Sequence, residues 1–199
     1  AMGGGVEIAL ACDYRTISAG VPAVALPECF LGLVPGWGGC YLLPNLVGPA
    51  KALTMIVENA LNTNRMLKGP AAFELGVADA MFAPAEFLEA SIGWAAKVVS
   101  GAVTVTRPEV PRDEAAWTGA IAASTMLADL KTGKQSPAPY RAMTLVAAAR
   151  TATRDEAFAA EDEALLPGGL ADQIRLMLTT GGETAPADKN ILEDTRLHD

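Results

Sequence analysis

Apolar and polar positions set the local structure segment by segment. After Gly3-Gly4-Gly5, the run Val6 to Cys12 is apolar at all but one position, and Glu7 is the single charge among the first twelve residues. That density predicts a short helix buried on most sides. Two β-favouring pieces, Tyr14 to Ser18 and Ala23 to Leu26, flank a turn at Ala19-Gly20-Val21-Pro22 and predict a pair of strands. The Gly/Pro-rich loop Gly32 to Gly39 then leads into a helix from about Cys40 to Val47. Gly48-Pro49 stops it, and Ala50 to Asn59 forms the next. Pro70 suits the first turn of a helix over Ala71 to Glu74 that Gly76 ends in the left-handed manner, before a short extended piece from Val77 to Phe82.

Between Pro84 and Ser100 the apolar residues Phe87, Leu88, Ile92, Trp94, Ala95, Val98 and Val99 fall at helical spacing, with Glu86, Glu89 and Lys97 outside the stripe. Pro108 and Pro111 change the texture. Beyond them, Arg112 to Leu130, Ala138 to Ala152 and Arg154 to Leu165 read as Ala-rich amphipathic helices. A weaker helix, Leu170 to Leu178, and a polar tail follow. The expected division is an α/β core over residues 1–106, a helical region over 107–178 and a polar tail over 179–199.

Composition narrows the chemistry. The 199 residues are 51% hydrophobic against 19% charged, which supports a folded core and excludes a disordered chain. A net charge of −8 argues against nucleic-acid binding, which needs clustered Lys and Arg. The only histidine is His198, in the polar tail, so His-based triads and His-ligated metal sites are rejected. Cys12, Cys29 and Cys40 show no CxxC spacing; reduced, buried thiols in a cytoplasmic protein are expected. The mean hydropathy of +0.26 raises the question of a membrane span, and Cys29 to Ala50 carries no charge. Three prolines and five glycines in that stretch rule out a continuous spanning helix there, and no basic region precedes an apolar run at the start of the chain.

Without histidine, proton transfer falls to carboxylates, lysine, tyrosine or cysteine. Glu7 stands in an apolar helix start, and Glu28 stands between the uncharged runs Thr16 to Pro27 and Cys29 to Ala50. A carboxylate taken from water has a raised pKa suited to acid and base work. Taken singly, each has a plainer reading: Glu7 as an acid at a helix N-terminus, Glu28 as an exposed loop residue after proline. Both, however, lie beside a Gly-rich helix entry that exposes backbone N–H groups to a ligand oxygen. Together they describe a site for a carbonyl that gains negative charge while two carboxylates handle protons. The acidic cluster Asp155, Glu156, Glu161, Asp162 and Glu163 reads as a solvated helix face.

These same residues carry a family resemblance. Gly3-Gly4-Gly5-Val6-Glu7 with Ala9, Ala11, Cys12 and Asp13 comes first, then Leu26-Pro27-Glu28, Leu31-Gly32 and Pro35-Gly36-Trp37-Gly38-Gly39. Ala71-Ala72, Leu75-Gly76-Val77 and Asp79 complete the pattern, which resembles the crotonase superfamily and, within it, enoyl-CoA hydratase. The region with Pro108-Glu109 and Arg112-Asp113-Glu114-Ala115-Ala116-Trp117 further resembles the hydratase part of multifunctional fatty-acid oxidation proteins, which join it to a 3-hydroxyacyl-CoA dehydrogenase.

The resemblance implies a crotonase-like ββα spiral followed by a helical region. It implies syn addition of water to a trans-2-enoyl-CoA, with Glu7 activating the water and Glu28 as acid/base partner at the α-carbon. Gly4 matches one backbone donor of the oxyanion hole, and Gly36 matches a loop residue packed against the water. Trp37 could line the acyl pocket or pack as a loop aromatic. No cofactor or metal is expected, since CoA is part of the substrate; Lys51, Arg65 and Lys68 are the basic residues available to it. A homo-oligomer (trimer or hexamer), or a fused or partner dehydrogenase domain, is expected, with neither nucleic acid nor membrane as partner. The family's module begins well upstream of Ala1, so the spiral is expected to be incomplete at its N-terminus. Catalysis by an isomerase, or a catalytically incompetent fragment, are the alternatives.

Overall fold

The first turn of the chain follows from one glycine. Gly3 adopts φ 52° and ψ −129°, a left-handed position that a side chain would strain, and its carbonyl accepts from the N–H groups of Val6 and Glu7 at 2.8 and 3.2 Å. Helix α1 (Gly4–Leu10) starts there, burying Val6, Glu7 and Leu10. A computed structural model describes residues 1–165. The helix expected over Leu170 to Leu178, the polar tail over 179–199 and His198 lie outside the described residues.

Strand β1 (Thr16–Ser18) pairs in parallel with β2 (Ala80–Phe82), Ile17 opposite Met81. This corrects the expected pairing of Tyr14 to Ser18 with Ala23 to Leu26. Pro22 and Pro27, which lack an N–H, bracket that second piece, and only isolated bridges form: Met2 with Ala25, and Val24 with Leu67. A buried ionic cluster fastens the parallel pair. Asp79 accepts from the Arg15 backbone N–H at 2.8 Å and from Arg107 Nε at 2.6 Å, and its carboxylate lies 3.8 Å from Arg15 Nη2.

Between the strands lie α2 (Gly39–Val47), α3 (Pro49–Leu53), α4 (Asn59–Leu61) and α5 (Gly69–Leu75). The stop at Gly48-Pro49 is real, with Gly48 at φ 88°. The single helix expected from Ala50 to Asn59 is interrupted by a wide π turn over Thr54–Glu58, which buries Met55, Ile56 and Val57. Gly76 ends α5 at φ 100°, as its position predicts.

Helix α6 (Phe87–Val99) forms where the spacing predicts but buries no residue. Leu88, Ile92 and Val99 are 64%, 63% and 88% exposed, so the described residues leave this part of the apolar stripe uncovered, while Phe87, Trp94 and Val98 are half-buried. Helices α7 (Glu114–Thr132), α8 (Ala138–Ala148) and α9 (Arg154–Leu165) make up the second part. Asp113 caps α7 by accepting from the Ala116 N–H at 2.8 Å, and the buried Trp117 donates from Nε1 to the Pro111 carbonyl at 2.7 Å. Helix α7 packs on α3 and α8, while α9 packs on α8 and α2. The core therefore runs through both parts, from Val6 and Leu43 to Trp117 and Val146. Among the described residues no helix is long and apolar enough to cross a membrane. The three thiols are free; Cys29 and Cys40 are buried, but Cys12, at the exposed end of α1, is not, contrary to expectation.

Candidate functional site

Glu7 lies in the first turn of α1, yet its carboxylate is held by the entry to another helix. The side chain points inward, with the residue 3% exposed, and Oε1 accepts from the backbone N–H groups of Trp37 at 2.8 Å and Gly39 at 2.9 Å. These amides open α2, whose dipole favours negative charge there. Burial without a cation is thereby compensated by two hydrogen bonds. Glycine at position 39 is a steric requirement, since an added methyl would stand 2.9 Å from Glu7 Oε1 and 2.7 Å from Pro35 Cβ.

Glu28 opens a 3₁₀ turn over Glu28–Leu31 and is half-buried, which rules out the exposed-loop reading. Its Oε1 crowds Gly3, where a methyl would approach to 2.7 Å, while Oε2 is buried and has no hydrogen-bond partner among the described residues. Burial, with the charge of Glu7 adding to it, pushes the carboxyl up to about 7. The next glycine, Gly4, faces Glu7: a methyl there would lie 4.0 Å from Oε2 and 3.0 Å from the Trp37 ring. The Gly4 N–H meets no backbone acceptor among the described residues. The glycine turn thus brings the two carboxylates close to the Gly4 amide.

Trp37 is 63% exposed, with its ring edge over Gly4, so it borders the turn and is not packed into the core. Gly36 abuts the end of α9, where a methyl would overlap Leu165. Lys51 and Lys68 line two separate cavities, of about 270 and 600 Å³, whose walls include none of Glu7, Glu28 or Glu161. Arg65 is exposed.

The largest departure from the sequence reading is Glu161. Asp155, Glu156, Asp162 and Glu163 are exposed as expected of a solvated face, but Glu161 is 1% exposed. Its Oε2 accepts from the Gly38 N–H at 2.5 Å. Burial, opposed by this bond and reinforced by the charge of Glu7, pushes it up to about 7. Helical periodicity carried the signal: Glu161 falls on the same face as Ala157, Phe158, Ala164 and Leu165, opposite the other acids. Among the described residues no three His, Cys, Asp or Glu side chains are grouped to hold a metal ion.

Residues 1–108 match the family model described as enoyl-CoA hydratase/isomerase. The fatty acid oxidation complex subunit alpha of Idiomarina loihiensis is 32% identical over 171 residues, 82% of this chain and 23% of that protein. The glyoxysomal fatty acid beta-oxidation multifunctional protein MFP-a of Cucumis sativus is 41% identical over 99 residues, 50% of this chain and 13% of that protein. The chain therefore spans less than a quarter of the length of these relatives. A crystal structure of a protein assigned as an enoyl-CoA hydratase from Streptomyces avermitilis matches 94% of this chain and 55% of its own, with a TM-score of 0.50 at 21% identity. That likeness bears on the fold, which is crotonase-like and mostly helical over the described residues, with few strands.

Proposed function

This chain belongs to the enoyl-CoA hydratase/isomerase family, and we propose that it carries the acid/base half of a hydratase site. The reaction is syn addition of water to a trans-2-enoyl-CoA, giving a 3-hydroxyacyl-CoA in fatty-acid β-oxidation. The observation that carries it is the pair of carboxylates, Glu7 and Glu28, set against consecutive glycines of one turn whose Gly4 amide meets no backbone acceptor among the described residues.

Glu7, oriented by the Trp37 and Gly39 amides, draws a proton from water as the water oxygen bonds to the β-carbon. The thioester oxygen gains charge, and the Gly4 N–H supplies one hydrogen bond to it. Glu28, whose carboxyl burial raises to about 7, delivers its proton to the α-carbon. Trp37 borders the acyl chain, and Gly36 keeps the loop close to the water. The acyl-CoA thioester is the only small-molecule partner in this scheme, and no separate cofactor is required. The uncovered stripe of α6 supports association, either as a trimer or hexamer or with a fused dehydrogenase domain. A cytoplasmic location accords with the free thiols.

Steady-state hydration of crotonyl-CoA tests the assignment. Glu7→Gln and Glu28→Gln should each lower kcat by at least about a hundredfold, and an unchanged rate in either would reject it. Conversion of a 3-enoyl-CoA without hydration would assign the site to an isomerase instead.

A further inference from the structure

Three consecutive amides in the loop before α2 are shared by two acids. The N–H groups of Trp37 and Gly39 go to Glu7, and the Gly38 N–H between them goes to Glu161. Gly38 sits at φ 99°, a turn open to glycine but one that glycine alone does not lock, so the contacts around it set the loop's position. Were its buried amide left without an acceptor, rotating the loop to satisfy it would carry the flanking amides away from Glu7.

Helix α9 supplies more than the carboxylate. Phe158 packs on Gly38 and meets Tyr41 edge-on at 6.4 Å, and Leu165 abuts Gly36. Phe158, Glu161 and Leu165 share one face, so α9 clamps the loop at three points. Glu161 has no salt-bridge partner among the described residues, and its Oε1 is buried without a hydrogen bond. A buried acid so arranged is a poor way to stabilise a helix, because an apolar residue would avoid the desolvation. The amides at the entry to α2, that of Gly38 above all, are the reason for it to be there.

We propose that Glu161 is a positioning residue: by accepting the Gly38 amide it fixes the loop backbone that orients the carboxylate of Glu7. The proposal rests on the hydratase reading only for its kinetic consequence. The geometry is tested in the full chain by amide exchange and amide proton shifts, with crotonyl-CoA hydration measured in parallel. Glu161→Ala should speed exchange at Trp37, Gly38 and Gly39 by roughly tenfold or more relative to buried Ile56, and lower kcat by roughly tenfold to a hundredfold with little change in KM. Glu161→Gln keeps a neutral acceptor; it should restore the loop protection and most of kcat, and above about pH 8, where the native carboxyl is ionised, it should move the Gly38 amide proton upfield of its position in the unsubstituted chain.

Unchanged loop exchange in Glu161→Ala would overturn the proposal, as would equal kcat losses in both variants. Should the alanine variant fail to fold, Glu161→Gln decides at that pH: an upfield Gly38 shift with Trp37 and Gly39 held supports the proposal, and an unmoved Gly38 resonance refutes it. Absence of hydration by the unsubstituted chain would reject the hydratase reading while the exchange and shift measurements still judge Glu161.

Discussion

Glu7 and Glu161 grip one tripeptide by alternate amides, Glu7 at Trp37 and Gly39 and Glu161 at Gly38. Two acids from the first and the last described helices thus converge on the N-terminus of α2, with Glu28 close by. Burial, with the charge of Glu7 adding to it, raises both Glu28 and Glu161 to about 7.

Stability should therefore fall as pH rises from about 5 to about 8. Glu28 and Glu161 are raised in the folded chain to about 7 from an ordinary 4.5, so the fold binds more protons than the unfolded chain between those values. Their stabilising contribution is complete below the unfolded value and is lost as pH passes the folded one, on the order of 3 kcal/mol for each. Urea unfolding at intervals of pH measures it, and Glu28→Gln or Glu161→Gln should flatten the slope. A stability that rises over this range would show that these acids are ionised in the fold.

The pH dependence of turnover should invert with the direction of reaction. Hydration needs Glu28 protonated, so kcat for crotonyl-CoA should decline above about pH 7. Dehydration of the 3-hydroxyacyl-CoA needs it ionised and should rise through the same pH. Parallel profiles in the two directions would remove Glu28 from the α-carbon.

Much of this site was legible because glycine and isolated charge are local signals. Gly3, Gly4 and Glu7 could be read together from one helix start, and Glu28 from the uncharged runs on both sides of it. Strand pairing was not legible in the same way, since β1 finds its partner β2 only across the intervening helices, and nothing near Ser18 announces Ala80. The exposure of α6 was likewise invisible, because helical spacing shows which face is apolar but not what covers it. Glu161 was misread by counting acids along the chain; placing them around the helix separates it from its neighbours.

Removing Asp79 should destabilise the chain without touching the chemistry. Asp79 is buried and holds Arg107 through two hydrogen bonds and the buried Arg15 through its backbone N–H. Its pKa is lowered by Arg107 and Arg15 in spite of burial, so this stabilisation is present above the ordinary carboxylate value of 3.8 and is lost as pH falls through the folded one. Asp79→Ala leaves Arg15 buried beside no carboxylate and should cost about 3–5 kcal/mol in urea unfolding. Turnover per folded molecule should be unchanged; a loss of kcat in the folded fraction would implicate the cluster in the site.

Gly39→Ala separates the geometry of Glu7 from the strain of the loop. Gly39 is not among the residues at positive φ, so alanine introduces no backbone penalty there, in contrast to Gly38. The added methyl instead meets Glu7 Oε1 and Pro35 Cβ, both inside contact distance. Displacing them should cost about 1–3 kcal/mol of stability. Because the carboxylate itself is moved, kcat should fall by roughly a hundredfold while KM changes little. Gly93→Ala and Gly119→Ala supply the control: both lie inside helices with nothing near the new methyl, and each should add about 0.5–1 kcal/mol without altering turnover. A Gly39→Ala chain that keeps full activity would mean that the position of Glu7 is not what the turn exists to hold.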